Sequence, residues 1–276
     1  MRTPPSRPVQ SQARRRPPLR LPWRDILDAL ALGTWSAMLF RYWFGGKLLL
    51  LLHPDYAWLS NSAAIVLLLL TSFIVLGVLK RLFQRRSQLK PSASAAAAEG
   101  HITLLPPSLS SAVLLGVAVF GLIYTPRAFS SQTAAQRGIS DTLTLTRAQP
   151  QQFVRAASPE ERTVIDWIRL VNVYPEPDEY AGEPVDVKGF VIHPETWGED
   201  YLMVSRFVLT CCAADAYPVG LPVKLPEGTS RQSYPVDSWL EIKGEMVTDT
   251  LDDRRQVTIA PTDLKTIEEP KNPYEY

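Results

Sequence analysis

Cysteine and histidine are scarce in this chain of 276 residues, which has two of the first and three of the second. Cys211 and Cys212 are neighbours, and neighbours cannot staple distant segments, so a disulfide scaffold is excluded. So small a stock of soft ligands also argues against a tetrahedral structural zinc cluster built from one chain. The signatures of common hydrolases and nucleotide enzymes are missing: there is no Gly-x-Ser-x-Gly, no His-Glu-x-x-His and no phosphate loop. The adjacent acids Glu160-Glu161 and Asp252-Asp253 read as a helix start and a hairpin turn, and Glu199-Asp200 as solvated loop charge. A non-enzymatic role is the expectation. Acidic side chains are almost missing from the first third, where residues 1–90 carry fourteen Lys/Arg against three Asp/Glu, a net +11. Residues 91–276 carry fifteen against twenty-five, a net −10. Halves that differ this much point to two environments.

What is present sorts by solvent. Residues 1–22 form a Pro- and Arg-rich arm with too little apolar surface to offset its ordering entropy. Arg14-Arg15-Arg16 is followed by Pro17-Pro18, where a twin-arginine signal would need an apolar residue. Three segments within residues 23–124 read as transmembrane helices, at about 26–44, 57–79 and 107–123. Ala57–Leu79 has no charge over 23 residues and would reach ~35 Å, enough for a ~30 Å hydrocarbon core. The segment at 107–123 is near the lower length limit, and Arg41 interrupts the outer end of the first. Seven arginines precede the first helix, and Lys80, Arg81, Arg85, Arg86 and Lys90 follow the second. The positive-inside rule puts both groups, and the connector 80–106, in the cytoplasm. Three crossings then place everything after the third helix outside, in a multi-pass membrane protein.

Ala29, Gly33, Ala37 and Arg41 recur at four-residue steps in the first helix and define a candidate packing face, since small residues let helices approach closely in lipid. Ala112 and Gly116 form a second small pair in the third helix. Arg41 would snorkel to headgroups or face protein.

Residues 125–158 read as a polar tether and 159–276 as an extracytoplasmic domain. Ser158-Pro159-Glu160-Glu161 predicts a capped helix start, with helically spaced Val164, Ile165, Trp167, Ile168 and Val171 after it. Strands are predicted at Pro184–His193 with a bulge at Gly189, Tyr201–Ala213, Tyr217–Leu225, Ser238–Val247, and Arg255–Ala260 with Leu264–Ile267. The fold class is therefore membrane α plus all-β: three transmembrane helices followed by a small OB-like β-barrel, although a small β-sandwich would show much the same strand pattern. OB barrels often bind nucleic acid, but residues 125–276 carry fifteen basic against twenty-four acidic side chains, so phosphates would be repelled.

The densest chemical signal is Thr210-Cys211-Cys212-Ala213-Ala214-Asp215. On a strand one thiol would enter the core and its neighbour face out. Three readings compete: core packing, a strained vicinal disulfide, and a soft-metal site that uses Cys211 or Cys212 with Asp215, His193 being a further candidate. Zinc or copper(I) would suit that last set, although its ligand count falls short unless a partner contributes. A thiol-redox protein is a further alternative, weakened because the two sulfurs lack the usual two-residue spacer.

Several strings together, GEPVDVKGFVIHP, SRFVLTCCAADAYPVGLPV, WLEIKGE, the C-terminal PYEY and LLLLLHPDYAWL, make the chain resemble the YcgQ-like permease-subunit proteins of bacteria. The resemblance implies helices followed by an external barrel, in an accessory subunit that works with a larger polytopic permease. A role in metal homeostasis, implied in the same way, would suit the cysteine string.

Overall fold

The computed structural model describes residues 23–87, 107–138 and 158–276. The basic arm, the connector beyond Ser87 with Lys90, and residues 139–157 of the expected tether lie outside the described residues. Two compact units emerge, the first comprising residues up to Ser36 and Ile65–Phe120, the second Ala37–Ala64 and Gly121–Tyr276.

Helix α1 spans Trp23–Phe44, α2 Ala57–Ser87 and α3 Pro107–Ile123. Among the described residues one stretch, Pro54–Phe83, is both long and apolar enough to cross a membrane. Its 30 residues are consistent with a length of ~45 Å, and Leu69, Phe73 and Leu76 point outward. The expectation of three transmembrane helices is not supported by length and apolarity. Helix α3 has 17 residues, short of a clear span. Helix α1 has 22 residues but carries Arg24, Asp25 and Asp28 in its first two turns and Arg41 in its last. Inside the first unit Asp25 meets Arg81 at 2.6 Å, and Asp28 accepts from the Ser111 hydroxyl.

The small-residue face is used only in part. Ala29 is buried, and a Cβ at Gly33 would lie 3.2 Å from Thr71 Cγ2, so α1 and α2 pass closely there. Ala37 and Arg41 are exposed, as are Ala112 and Gly116 of the second pair. The α1 stripe that does engage runs through Trp35, whose Nε1 donates to the Leu114 carbonyl at 3.0 Å. In the second unit Tyr42 continues it, donating to the Gly121 carbonyl at 2.6 Å, while Arg41 Nη1 donates to Leu122 O at 2.9 Å. Polar side chains on a helix of this kind find backbone carbonyls, because free ones are costly in a dry setting.

The second unit is built on a closed five-stranded barrel of β1 (Pro184–Ile192), β2 (Tyr201–Val208), β3 (Tyr217–Lys224), β4 (Trp239–Leu251) and β5 (Arg254–Ile267). The order is β1-β4-β5-β3-β2, and β2 returns to β1 to close the ring. All contacts are antiparallel except that β3 and β5 run parallel. A sixth strand, β6 (Tyr274–Glu275), lies parallel to the far end of β2.

Two glycines are placed by closure. Gly244 sits at the register shift between β4 and β5, and a Cβ there would collide with the Ala260 carbonyl. Gly189, expected as a bulge, instead pairs regularly with Leu240. Its bare Cα admits β2, since a Cβ would come 2.6 Å from Ser205 O. Asp252 and Asp253 both adopt positive φ (51° and 59°), which matches the two-residue primed turn of a right-twisted hairpin.

Helix α5 (Val164–Val173) does not begin at Ser158, which only precedes a short 3-10 turn at Pro159–Glu161. Thr163 and Asp166 form the capping box, and Val164, Ile165 and Trp167 enter the barrel core with Leu202, Leu240 and Ile259. A second cluster covers the barrel's outside at Phe190, Met203, Phe207 and Trp239. Leu50, Phe129 and Tyr274 supply its cover. Residues up to 138 are thus not a free tether: α4 (Ser131–Arg137) packs on the barrel with Ala134 fully buried, and Ser131 N donates to Asp237 at 2.6 Å.

The C-terminal strand carries a buried charge. Glu275 lies 3.4 Å from Arg206 Nε and accepts from the Ile165 amide at 2.7 Å. Burial pushes its carboxyl up and the Arg206 guanidinium down, each opposed by the other's charge. Removing one member of such a pair leaves the other uncompensated. Glu275→Ala is therefore expected to lower unfolding stability by ~3–5 kcal/mol, measured by urea titration of the detergent-solubilised chain. Glu275→Gln, which retains an acceptor for Ile165 N, should cost less.

Candidate metal centre

Strand β2 ends at Val208, three residues before the first cysteine, so the in-and-out alternation expected for Cys211 and Cys212 does not arise. Leu209 N closes the parallel pairing with β6 by bonding Glu275 O at 2.9 Å, and beyond it the chain folds back on itself. Cys211 is exposed and Cys212 half-buried, and both are free thiols. Neither packs in the core, and no vicinal disulfide joins them.

The fold-back is organised by Asp215. Its carboxylate accepts the Thr210 hydroxyl at 2.9 Å, the Cys211 amide at 2.8 Å and the Cys212 amide at 3.2 Å. This is an Asx-type closure, in which a short acidic side chain takes up backbone donors that no strand partner satisfies. It brings Sγ of both cysteines and a carboxylate oxygen of Asp215 within 4.8 Å of one another. His193 does not join them. It follows β1, whose Ile192 faces Met203 near the start of β2, whereas the cysteines lie beyond the other end of β2. Its Nε2 is 2.9 Å from Tyr234 O, a satisfied structural contact.

Electrostatics set the resting state of the trio. The hydrogen bond to Asp215, and then that to Cys212, push the Cys211 thiol up to about 12. Burial alone would raise the Asp215 carboxyl, but the Cys211 thiol, the Thr210 hydroxyl and the two amides outweigh it and hold it below the usual carboxylate range. The metal-free site is a neutral thiol resting on a carboxylate. At neutral pH a thiol at about 12 is thiolate on the order of once in 10^5 molecules, which makes it a poor nucleophile.

Two further segments grip this loop. Residues 51–53, between α1 and α2, lie antiparallel to it: Leu52 bridges Cys212, Ala213 N donates to Leu51 O at 2.9 Å, and His53 N donates to Cys211 O at 3.1 Å. From the other side Arg137 Nη1 donates to Ala213 O at 3.3 Å and also to Ala216 O, with its guanidinium 4.7 Å from the Phe129 ring centroid. The contribution of residues 51–53 and 137 has no local sequence signal, because it comes from segments 76 residues or more away in the chain.

Residues 163–276, which hold the whole barrel and the loop, match the family model described as the DUF1980 C-terminal domain. The chain is also similar to the UPF0703 protein YcgQ of Bacillus subtilis (strain 168), at 27% identity over 131 residues. That match covers 46% of this chain and 45% of YcgQ, so the chain spans about half the length of the curated relative it matches. These similarities support the YcgQ-like resemblance for the C-terminal half. No solved structure matches significantly.

Since Asp215 is the largest cause of the raised Cys211 thiol, Asp215→Asn should return that thiol toward its ordinary range. Alkylation of Cys211 by iodoacetamide near neutral pH is then expected to quicken by ~10-fold or more. An unchanged rate in the variant would show that the carboxylate does not govern the thiol.

Proposed function

We propose that this chain is a membrane-anchored, non-enzymatic accessory subunit of a transport complex, and that its barrel presents a soft metal-ion site outside the cytoplasm. The observation that carries the site is the convergence of Cys211, Cys212 and Asp215 within 4.8 Å at one end of the barrel. Two thiols and one carboxylate favour zinc or copper(I), as thiolates are soft donors. The resting thiol, held on a carboxylate, favours binding over thiol-redox catalysis.

The outward-facing apolar stretch Pro54–Phe83 supports the anchor. With α1 and α3 also crossing, the basic arm and the basic end of α2 both fall on the cytoplasmic side, and the acidic domain falls outside. The location is then a bacterial inner membrane. The closed ring with its parallel β3–β5 contact supports an OB-like reading of the barrel. The net charge of −9 over residues 125–276 disfavours nucleic acid as a ligand. The partner is inferred from the YcgQ-like resemblance: a larger polytopic permease, met in the bilayer by the helices.

Zinc titration of the full chain in detergent tests the site. The wild type should bind, and the double variant Cys211→Ser/Cys212→Ser should lose ~100-fold or more in affinity; equal binding by the two ends the metal reading. Binding must strip the proton from Cys211, whose raised thiol keeps it protonated at every pH well below 12. The logarithm of the apparent affinity is therefore expected to climb by at least ~1 per pH unit over that range, with protons released on loading. Crosslinking in intact membranes tests the partner: recovery of a polytopic protein is expected, and recovery of none removes the subunit role.

A further inference from the structure

A site of two thiolates and one carboxylate is one ligand short of a closed tetrahedral centre. The missing ligand was expected from His193 or from another chain, and His193 is held elsewhere. The bridge between Leu52 and Cys212 brings a different histidine to the loop. In an antiparallel ladder the residues on either side of a paired position are themselves opposite one another, so His53 stands across from Cys211. The His53 N to Cys211 O bond at 3.1 Å fixes that register.

Resting on the metal-site reading above, we propose that His53 is the fourth ligand, and that a soft metal ion held by His53, Cys211, Cys212 and Asp215 ties the α1–α2 connector to the barrel. The ring is held at one nitrogen and free at the other. Its Nδ1 accepts from the Asp55 amide at 3.1 Å and lies 3.8 Å from the Asp55 carboxylate. Among the described residues Nε2 has no hydrogen-bond partner, and the ring edge rests on Tyr276 with centroids 4.7 Å apart. Its side chain keeps 16% of its accessible surface, enough to be reached and little enough to be held.

Coordination through Nε2 would require the tautomer protonated at Nδ1, which gives up the bond from the Asp55 amide and, as the ring turns, can donate to the Asp55 carboxylate now 3.8 Å away. A carboxylate behind a ligating imidazole orients the ring and strengthens it as a donor. In the metal-free state His53 stands outside the set of atoms within 4.8 Å, so loading requires a turn of its side chain toward Cys211. The thiols and Asp215 must also close by ~1 Å to reach Zn–S distances of ~2.3 Å. Asp215 can do so while keeping its amides, because a carboxylate offers about four lone-pair positions. The consequence is mechanical: residues 51–53 lead directly into α2, so an ion on the barrel grips the start of the membrane helix.

Cobalt(II) replaces zinc as a visible probe in the full detergent-solubilised chain. Thiolate-to-cobalt charge transfer reports Cys211 and Cys212, and the intensity of the d–d bands reports a closed tetrahedral shell. The wild type is expected to show both. His53→Gly should keep the thiolate band, weaken the d–d bands and lose ~10-fold or more in affinity, while added imidazole restores the bands in that variant alone. His193→Ala should behave as wild type. A His53→Gly protein with wild-type spectrum and affinity, or one that imidazole fails to restore, overturns His53 as a ligand and leaves the cysteine site intact. A wild type without the thiolate band overturns the cysteine site itself, and His53 with it.

Discussion

Strand β2 has no solvent face, and much of the second unit follows from that. All eight of its residues are buried. One face looks into the barrel, where Leu202, Val204 and Val208 pack with α5 and the facing strands; the other, with Met203 and Phe207, looks outward into a second apolar cluster. An apolar outer face on a barrel needs a cover, at roughly 25 cal/mol for each Å² removed from water. The cover comes from three places: Leu50 between α1 and α2, Phe129 after α3, and Tyr274 near the C-terminus.

That cover delivers chemistry as well as burial. The segments that shield β2 also reach past its end, where Leu52 bridges Cys212 and Arg137 holds the carbonyls of Ala213 and Ala216. The cysteine loop is therefore fastened to both chain segments that lead from the helices. Its own shape comes from Asp215, which serves as the acceptor that turns the loop, as the partner that keeps the Cys211 thiol protonated, and as a candidate ligand. A loop with this many donors converging on one carboxylate has its backbone shape set by that side chain.

Strand positions in the barrel were legible because alternation and turn chemistry are local: Val185, Val187 and Phe190 on β1, and the Asp252-Asp253 hairpin, stand close to where pattern reasoning puts them. The end of β2 was not. The run from Phe207 continues through Cys212 without a turn residue, and nothing local says that the last ladder bond will be Leu209 N to Glu275 O or that the chain folds back after it. The bulge expected at Gly189 misread the same ambiguity, since an open strand glycine can mark either a bulge or a close approach. The approach of Ser205 is a long-range fact. The three helices were read by apolarity, and α1 shows the weakness of that measure: its acids are paired with Arg81 and Ser111, across 56 and 83 residues of sequence.

By itself the sequence determined the charge division, the apolar stretch before Lys80, the succession of short strands and the presence of two thiols near one carboxylate, because each depends on residues within a few positions of one another. Tertiary structure alone decided which histidine stands near the thiols. His53 and His193 are equally plain in the sequence, and His193 is the nearer along the chain to Cys211. Closure of the barrel carries His193 to the far end of β2, while the need to cover the outer face of β2 brings the connector, and His53 with it, across from Cys211. Pairing between distant segments obeys burial over the whole fold, and no local pattern encodes it.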